Sequence, residues 1–181
     1  MKVLITYSSG FGTTKEVAEE IGRILQDEGH FELELLAIDR VDEIDSYDVL
    51  VIGSSVRADR PLANVRDFLA LHRLDLKGKK IALFAVCLLA NCAEGQRRVI
   101  DQYLSQLIEK YPEFNVISKA AFGGKIDFDK LNPVTKSLMN RVLEKTGLPT
   151  EGSVDTRDWR MIREWSHELI GKIRENSASN Q

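Results

Sequence analysis

A short run of residues near the start of the chain, Ser8-Ser9-Gly10-Phe11-Gly12-Thr13-Thr14, combines hydroxyl side chains with two glycines. The run follows an apolar stretch at 3–7 that is typical of a buried strand, and it precedes 15–25, where apolar residues recur at helical spacing. The first turn of a helix offers backbone N–H groups without helical partners and the positive end of the helix dipole. A strand that turns through Ser, Gly and Thr into a helix therefore predicts a phosphate-binding loop.

The spacing within this loop argues against several phosphate ligands. A nucleotide-binding P-loop ends in Gly-Lys-Ser/Thr, whereas Gly12 is followed by Thr13-Thr14-Lys15. The dinucleotide fingerprint lacks its third glycine, since Lys15 stands at that position. A phospho-receiver domain needs carboxylates where Ser8 and Ser54 stand, and a tyrosine phosphatase of related topology needs a cysteine in the first loop. What remains is a cradle of neutral donors for one terminal phosphate.

The composition is that of an ordinary soluble domain. Of the 181 residues, 43% are hydrophobic and 29% are charged, and the formal net charge of −3 gives no reason to expect a nucleic-acid partner. No stretch is long and apolar enough to span a bilayer, and no signal peptide is recognisable. Cys87 and Cys92 do not make a disulfide framework, so we expect a reduced, cytoplasmic setting.

Strand-like and helix-like segments alternate along the chain. Strands are predicted at 3–7, 31–36, 49–52, 81–86 and 116–122, and helices at 15–25, 61–71, 94–110 and 158–174. This alternation predicts an α/β fold with a parallel sheet covered by helices on both faces, and five strands suit the order 2-1-3-4-5. Ligands of such sheets bind beyond the carboxyl ends of the strands, where the loops 8–14, 54–60 and 87–93 are expected to meet.

The chain resembles the flavodoxin family over nearly its whole length. It is similar, more narrowly, to the flavodoxin-type, menaquinone-dependent protoporphyrinogen IX dehydrogenases. This narrower resemblance rests on 51–57, on 84–90, on Gly123-Gly124 before 131–145, and on Asp155-Thr156-Arg157-Asp158-Trp159. The resemblance implies a flavodoxin-like three-layer sandwich with an extra helical insert before the last helix. It also implies an FMN-binding oxidoreductase that oxidises protoporphyrinogen IX or another small substrate and passes electrons to a quinone. The alternative is an electron-transfer shuttle that docks on redox partner proteins.

The resemblance assigns the cofactor to three loops. The expected FMN contacts are Ser8, Ser9, Gly10, Phe11, Gly12, Thr13 and Thr14 in the first loop, Ser54, Ser55, Val56 and Arg57 in the second, and Val86, Cys87, Leu88, Leu89 and Ala90 in the third. No catalytic acid or base and no metal ligand are assigned, because a bound flavin carries the redox chemistry. Neither the second nor the third loop contains an aromatic residue, which leaves more of the ring open to a substrate.

The segment 125–150 is expected to be an insert within a single flavodoxin-like domain at 1–175, followed by a disordered tail at 176–181. Its part 125–145 carries basic residues and an apolar stripe. One hypothesis makes this part a lid or docking surface for a quinone, a porphyrin or a membrane, which would add peripheral membrane contact to a cytoplasmic protein. The other hypothesis is that its helix simply packs on the edge of the sheet.

Overall fold

The structure is a computed structural model that describes residues 1–57, 60–144 and 147–175, apart from the side chains at 57, 60, 138, 141, 142 and 144. The strands are β1 (Lys2–Ser8), β2 (Glu32–Ala37), β3 (Val49–Arg57), β4 (Arg60–Pro61), β5 (Lys80–Val86), β6 (Asn115–Phe122), β7 (Lys125–Asp127) and β8 (Ser153–Asp155). The helices are α1 (Thr13–Asp27), α2 (Ala63–Leu71), α3 (Ala93–Val99), α4 (Gln106–Ile108), α5 (Pro133–Glu144) and α6 (Trp159–Glu175).

Five parallel strands form the central sheet in the order β2-β1-β3-β5-β6. This is the predicted 2-1-3-4-5 order, and the prediction is confirmed. Successive side chains of a strand point to opposite faces, so the apolar strands feed two separate clusters. One cluster packs under α1 and α6 around Ile5, Ile21 and Trp165, and the other lies under α2, α3 and α4 around Leu50 and Leu104.

The second loop departs from the predicted boundaries. The strand predicted at 49–52 continues to Arg57, and β4 turns back to pair with it antiparallel, with Val56 opposite Pro61. Pro61 was predicted in the first turn of a helix, but α2 begins at Ala63. Proline fits the two-residue edge strand because it has no N–H to offer to a further neighbour.

The helix predicted at 94–110 begins at Ala93 and ends at Ile108, but it is not α-helical throughout. A π-helical turn at Ile100–Ser105 separates α3 from α4, and α4 ends at Ile108. The last helix was predicted at 158–174 and spans Trp159–Glu175. The tail predicted to be disordered, 176–181, lies outside the described residues.

The segment after β6 contains an element that the sequence did not predict. The short strands β7 and β8 pair antiparallel, and α5 lies between them along the chain. Leu143 of α5 packs with Phe128, Val154 and Leu88 of the third loop in a third apolar cluster. In this cluster α5 packs on the β7–β8 pair and the third loop. A role as a lid or docking surface stays a prediction. Across the described residues, no helix is long and apolar enough to cross a membrane.

We expect Gly53→Ala to lower the free energy of unfolding by about 1–3 kcal/mol. Gly53 lies opposite Phe84 in the β3–β5 pairing, and a Cβ at this position would overlap the buried Phe84 ring. Urea unfolding measures the change. The matched control is Gly171→Ala in α6, where a Cβ meets nothing within 4 Å. It should raise stability by about 0.5–1 kcal/mol. Equal effects of the two substitutions would contradict this account of Gly53.

Candidate functional site

The three predicted loops meet at the carboxyl end of the sheet. Ser8 at the end of β1 is in register with Ser54, and Ser55 is in register with Val86 at the end of β5. Parallel pairing thus brings the first, second and third loops to one edge, as the sequence predicts. This edge also receives the start of α1.

The first loop leaves an open space in front of α1. Gly12 precedes the helix with a φ of +86°, a left-handed conformation that glycine adopts without strain, and a Cβ here would meet nothing within 4 Å. The Glu16 N–H donates to the Gly12 carbonyl oxygen at 3.0 Å, which closes the first turn of α1. The N–H groups of Thr13 and Thr14 therefore lie in the turn that has no helical acceptors. Phe11, at the tip of the loop, is 69% exposed.

Three buried hydroxyl groups at this edge have no hydrogen-bond partner within the described part of the chain. They belong to Ser9 and Thr14 around the first loop and to Ser55 at the end of β3. A buried hydroxyl without a partner costs free energy, so native proteins rarely leave several together. Their grouping beside the first turn of α1 points to a ligand that supplies hydrogen-bond acceptors.

Two other serines of the predicted site are already engaged within the protein. The Ser8 hydroxyl donates to Oδ1 of Asn64 at 2.7 Å. The Ser54 hydroxyl donates to the Ser55 carbonyl oxygen at 2.8 Å and accepts from the Leu62 N–H at 3.0 Å. These serines tie the first loop and β3 to the start of α2. Sequence reasoning missed Asn64, whose only signal is its place in the first turn of a helix beside the second loop.

The third loop is held from several sides. The Cys87 N–H donates to the Phe122 carbonyl oxygen at 3.1 Å, and a short 3₁₀ turn follows at Leu88–Asn91. Gly124 approaches the loop so closely that a Cβ there would lie 3.0 Å from the Cys87 carbonyl carbon. Val86, Leu88 and Ala90 are buried, and Leu89 is half-buried. In the sequence, Gly123-Gly124 supported only the family resemblance. In the structure these glycines allow close backbone contact, Gly124 with Cys87 and Gly123 with Thr156.

The second loop is described only in part. Ser55 and Val56 are half-buried, while the Arg57 side chain and residues 58–59 lie outside the described part of the chain. The expected contact between Arg57 and the cofactor stays a prediction.

A buried arginine lies near the start of α1, and sequence reasoning gave it no role. The Arg157 side chain is only 4% exposed and forms ion pairs with Asp155 at 2.6 Å and with Glu16 at 2.5 Å. The Arg157 guanidinium lowers the pKa of the Asp155 carboxyl, chiefly through the hydrogen bonds it donates. The sequence gives little sign of this cluster. Asp155 and Arg157 are close enough in sequence to suggest an ion pair, but Glu16 is 141 residues away from Arg157.

The chemistry of this donor set suits a phosphate monoester. The described groups around the open space are neutral hydroxyls and the N–H groups of a helix start, which favour an anion without demanding a metal. Among the described residues, no group of three or more His, Cys, Asp and Glu side chains is placed to hold a metal ion.

Comparisons with known proteins agree with this fold. The flavodoxin domain family matches residues 4–153, so the chain belongs to that family. The protoporphyrinogen IX dehydrogenase [quinone] of Escherichia coli (strain K12) is 22% identical, with 93% of this chain and 94% of that protein covered.

Solved structures show the same fold. Oxidised flavodoxin 1 from Bacillus cereus is 22% identical with a TM-score of 0.52, covering 82% of this chain and 100% of that one. A flavoprotein in complex with FMN from Lactobacillus acidophilus NCFM is 22% identical with a TM-score of 0.51, covering 66% and 92%. FMN is the cofactor of the flavodoxin domain family. The partnerless hydroxyls and the open space at Gly12 in this chain fit its phosphate.

We expect Thr14→Val to have opposite effects on the free protein and on FMN binding. Removing a buried hydroxyl without a partner should raise the free energy of unfolding of the FMN-free protein by about 1 kcal/mol. The same change should weaken FMN binding about tenfold, because one hydrogen bond to an anion is lost. Urea unfolding and quenching of FMN fluorescence measure the two effects.

Thr6→Val is the matched control for this prediction. The Thr6 hydroxyl is also buried without a partner among the described residues, but it lies inside β1, opposite Ile52. Its loss should stabilise the FMN-free protein without changing the affinity for FMN. The same affinity for FMN in both variants would contradict a role for Thr14 in binding.

Proposed function

We propose that this chain is an FMN-dependent oxidoreductase that oxidises a small organic substrate, with protoporphyrinogen IX the first to test, and that passes the electrons to a quinone. The observation that carries the proposal is the group of buried hydroxyls at Ser9, Thr14 and Ser55, which have no partner in the part of the chain that the structure describes. The reaction class is supported by the similarity to a protoporphyrinogen IX dehydrogenase, which extends over 93% of the chain.

The proposal assigns each loop a part in holding the cofactor. Ser9, Thr14 and the N–H groups that follow Gly12 would bind the phosphate. The second loop, from Ser54 to Arg57, and the third loop, from Val86 to Ala90, would line the flavin ring. Bound FMN would supply the redox chemistry by accepting a hydride equivalent or electrons from the substrate. No side chain of the chain is required as an acid or a base.

The remaining contribution of the protein is to fix the loops and to exclude water. Ser8 and Ser54 hold the first two loops through hydrogen bonds within the protein. Leu88 packs against Ile126 and Phe128, so the third loop has an apolar backing. A fixed, partly dry site favours direct transfer between substrate and cofactor over reaction with solvent.

The alternative is a shuttle that docks on redox partner proteins. Its support is the exposed Phe11 at the tip of the first loop, an apolar ring on the surface at the edge where the cofactor would lie. A shuttle would accept electrons from a reductase protein and deliver them to a second protein, without turnover of a porphyrinogen.

We expect the purified protein to bind one FMN and to oxidise protoporphyrinogen IX under anaerobic conditions when a menaquinone analogue is present. The fluorescence of the porphyrin product measures the rate, and FMN-free protein is the control. Thr14→Val should lower the rate at limiting FMN and regain it at high FMN, whereas Thr6→Val should match the parent. A protein that binds no FMN would overturn the proposal. A protein that binds FMN but exchanges electrons only with partner proteins would favour the shuttle.

Use of a quinone would bring the protein to a lipid surface, and we propose the segment 125–145 as the contact. Val134 in the first turn of α5 is 81% exposed. Val134→Asp should lower the fraction that sediments with anionic liposomes by about half or more, because a charge replaces an apolar contact. The control is Leu74→Asp, since Leu74 is 83% exposed but precedes β5 at the opposite edge of the sheet. Equal loss in both variants, or no binding by the parent, would contradict the proposal.

A further inference from the structure

Arg157 joins three parts of the molecule beside the predicted phosphate loop. Its guanidinium binds both carboxylate oxygens of Asp155, with Nε to Oδ1 at 2.9 Å and Nη2 to Oδ2 at 2.6 Å. Its Nη1 donates to Oε2 of Glu16 at 2.5 Å. Its Cζ lies 4.7 Å from the centroid of the Trp159 ring. A guanidinium held from three sides is rigid, and its charge has a fixed position.

A second set of contacts links the segment around Arg157 to the start of α1 through Gly124 and Lys125. The Thr156 N–H donates to the Gly124 carbonyl oxygen at 2.9 Å, and the Gly124 N–H donates to the Thr156 hydroxyl at 3.1 Å. Lys125 in β7 lies opposite Asp155 in β8. Its carbonyl oxygen accepts a hydrogen bond from the Thr13 hydroxyl at 3.4 Å. The start of α1 is therefore tied to the β7–β8 pair at Thr13 and again at Glu16.

The position of Glu16 makes the Arg157 charge important. Glu16 lies in the first turn of α1, one helical turn from Gly12. In the protein without ligand, a carboxylate in the first turn stabilises the helix through its dipole. The same carboxylate repels a phosphate that binds to the helix start. Arg157 is the one described cation that bonds to Glu16, while Lys15 pairs with Glu19.

We propose that Arg157 is a positioning residue for the phosphate of the cofactor, which offsets the charge of Glu16 and fixes the first turn of α1. This inference rests on the proposed function, since it takes FMN as the ligand. Arg157 acts through Glu16 and the helix start and is not assigned a contact with the reacting ring. It should therefore affect the phosphate-dependent part of binding alone.

The test compares the affinity for FMN with the affinity for riboflavin, which lacks the phosphate. Fluorescence quenching gives both dissociation constants, and their ratio isolates the phosphate contribution. Arg157→Gln should lower this preference for FMN about tenfold, while the affinity for riboflavin changes less than about twofold. The preference should depend less on added salt in the parent than in Arg157→Gln. In the variant the phosphate is repelled by an uncompensated, half-exposed Glu16 carboxylate, and salt screens that repulsion.

Two matched variants separate this role from general stability. Arg163→Gln removes the same charge and also breaks an ion pair with α1, but its partner is Glu20, one turn further along the helix, at 3.2 Å. It should leave the preference for FMN unchanged. Adding Glu16→Gln to Arg157→Gln should restore the preference to within about threefold of the parent. The carboxylate on α1 is then gone, and only Asp155, which lies outside α1, is left without its guanidinium partner.

Glu16→Gln alone keeps the test usable if Arg157→Gln does not fold, since the Glu16 side chain is 49% exposed. This variant should raise the preference for FMN about threefold. The inference is overturned if Arg157→Gln keeps the preference of the parent, if Arg163→Gln lowers it as much, or if Glu16→Gln lowers it. A parent that binds neither flavin overturns the proposed function as well, so the two failures are distinguishable.

Discussion

Parallel pairing of β1 with β3, and of β3 with β5, is the constraint on which the site depends. The pairing puts Ser8 beside Ser54 and Ser55 beside Val86, so three chain segments that are far apart in sequence leave the sheet at one edge. Strands in this arrangement are buried on both faces, which explains why β1, β3 and β5 are nearly continuous apolar runs. Apart from Thr6 inside β1, the Ser and Thr side chains of these strands lie near the carboxyl ends, at Ser8, Ser54 and Ser55.

These polar groups divide into two sets with different roles. Ser8 and Ser54 form hydrogen bonds within the protein and hold the first loop, β3 and the start of α2 together. Ser9, Thr14 and Ser55 are buried without partners among the described residues. The hydroxyls of the first set hold the loops in place, and their protons are therefore not available to donate to a ligand. The second set keeps its binding capacity and lowers the stability of the protein without ligand, so a ligand that accepts hydrogen bonds should stabilise the fold.

Two described stretches, 123–144 and 147–159, contact this edge. Gly124 packs on the third loop, the β7–β8 pair and α5 cover Leu88, and Arg157 reaches the first turn of α1. These stretches thus contact both the start of α1 and the third loop. They distinguish this chain from a minimal five-stranded domain. They bring an apolar cluster to the third loop and a charged cluster to the start of α1.

The sequence by itself determined the fold class and the strand order, and through them the edge of the sheet at which a ligand is expected. The apolar runs of the strands, the helical spacing of apolar residues and the Ser-Gly-Thr turn before α1 are local signals. Each can be recognised from a short window of neighbouring residues. Tertiary structure alone decided which hydroxyls are free, since that depends on Asn64 and Leu62 reaching Ser8 and Ser54. It also decided the pairing of Arg157 with Glu16, the short β7–β8 pair and the continuation of β3 to Arg57. These features depend on contacts between residues distant in sequence, or on strands too short to leave a periodic pattern.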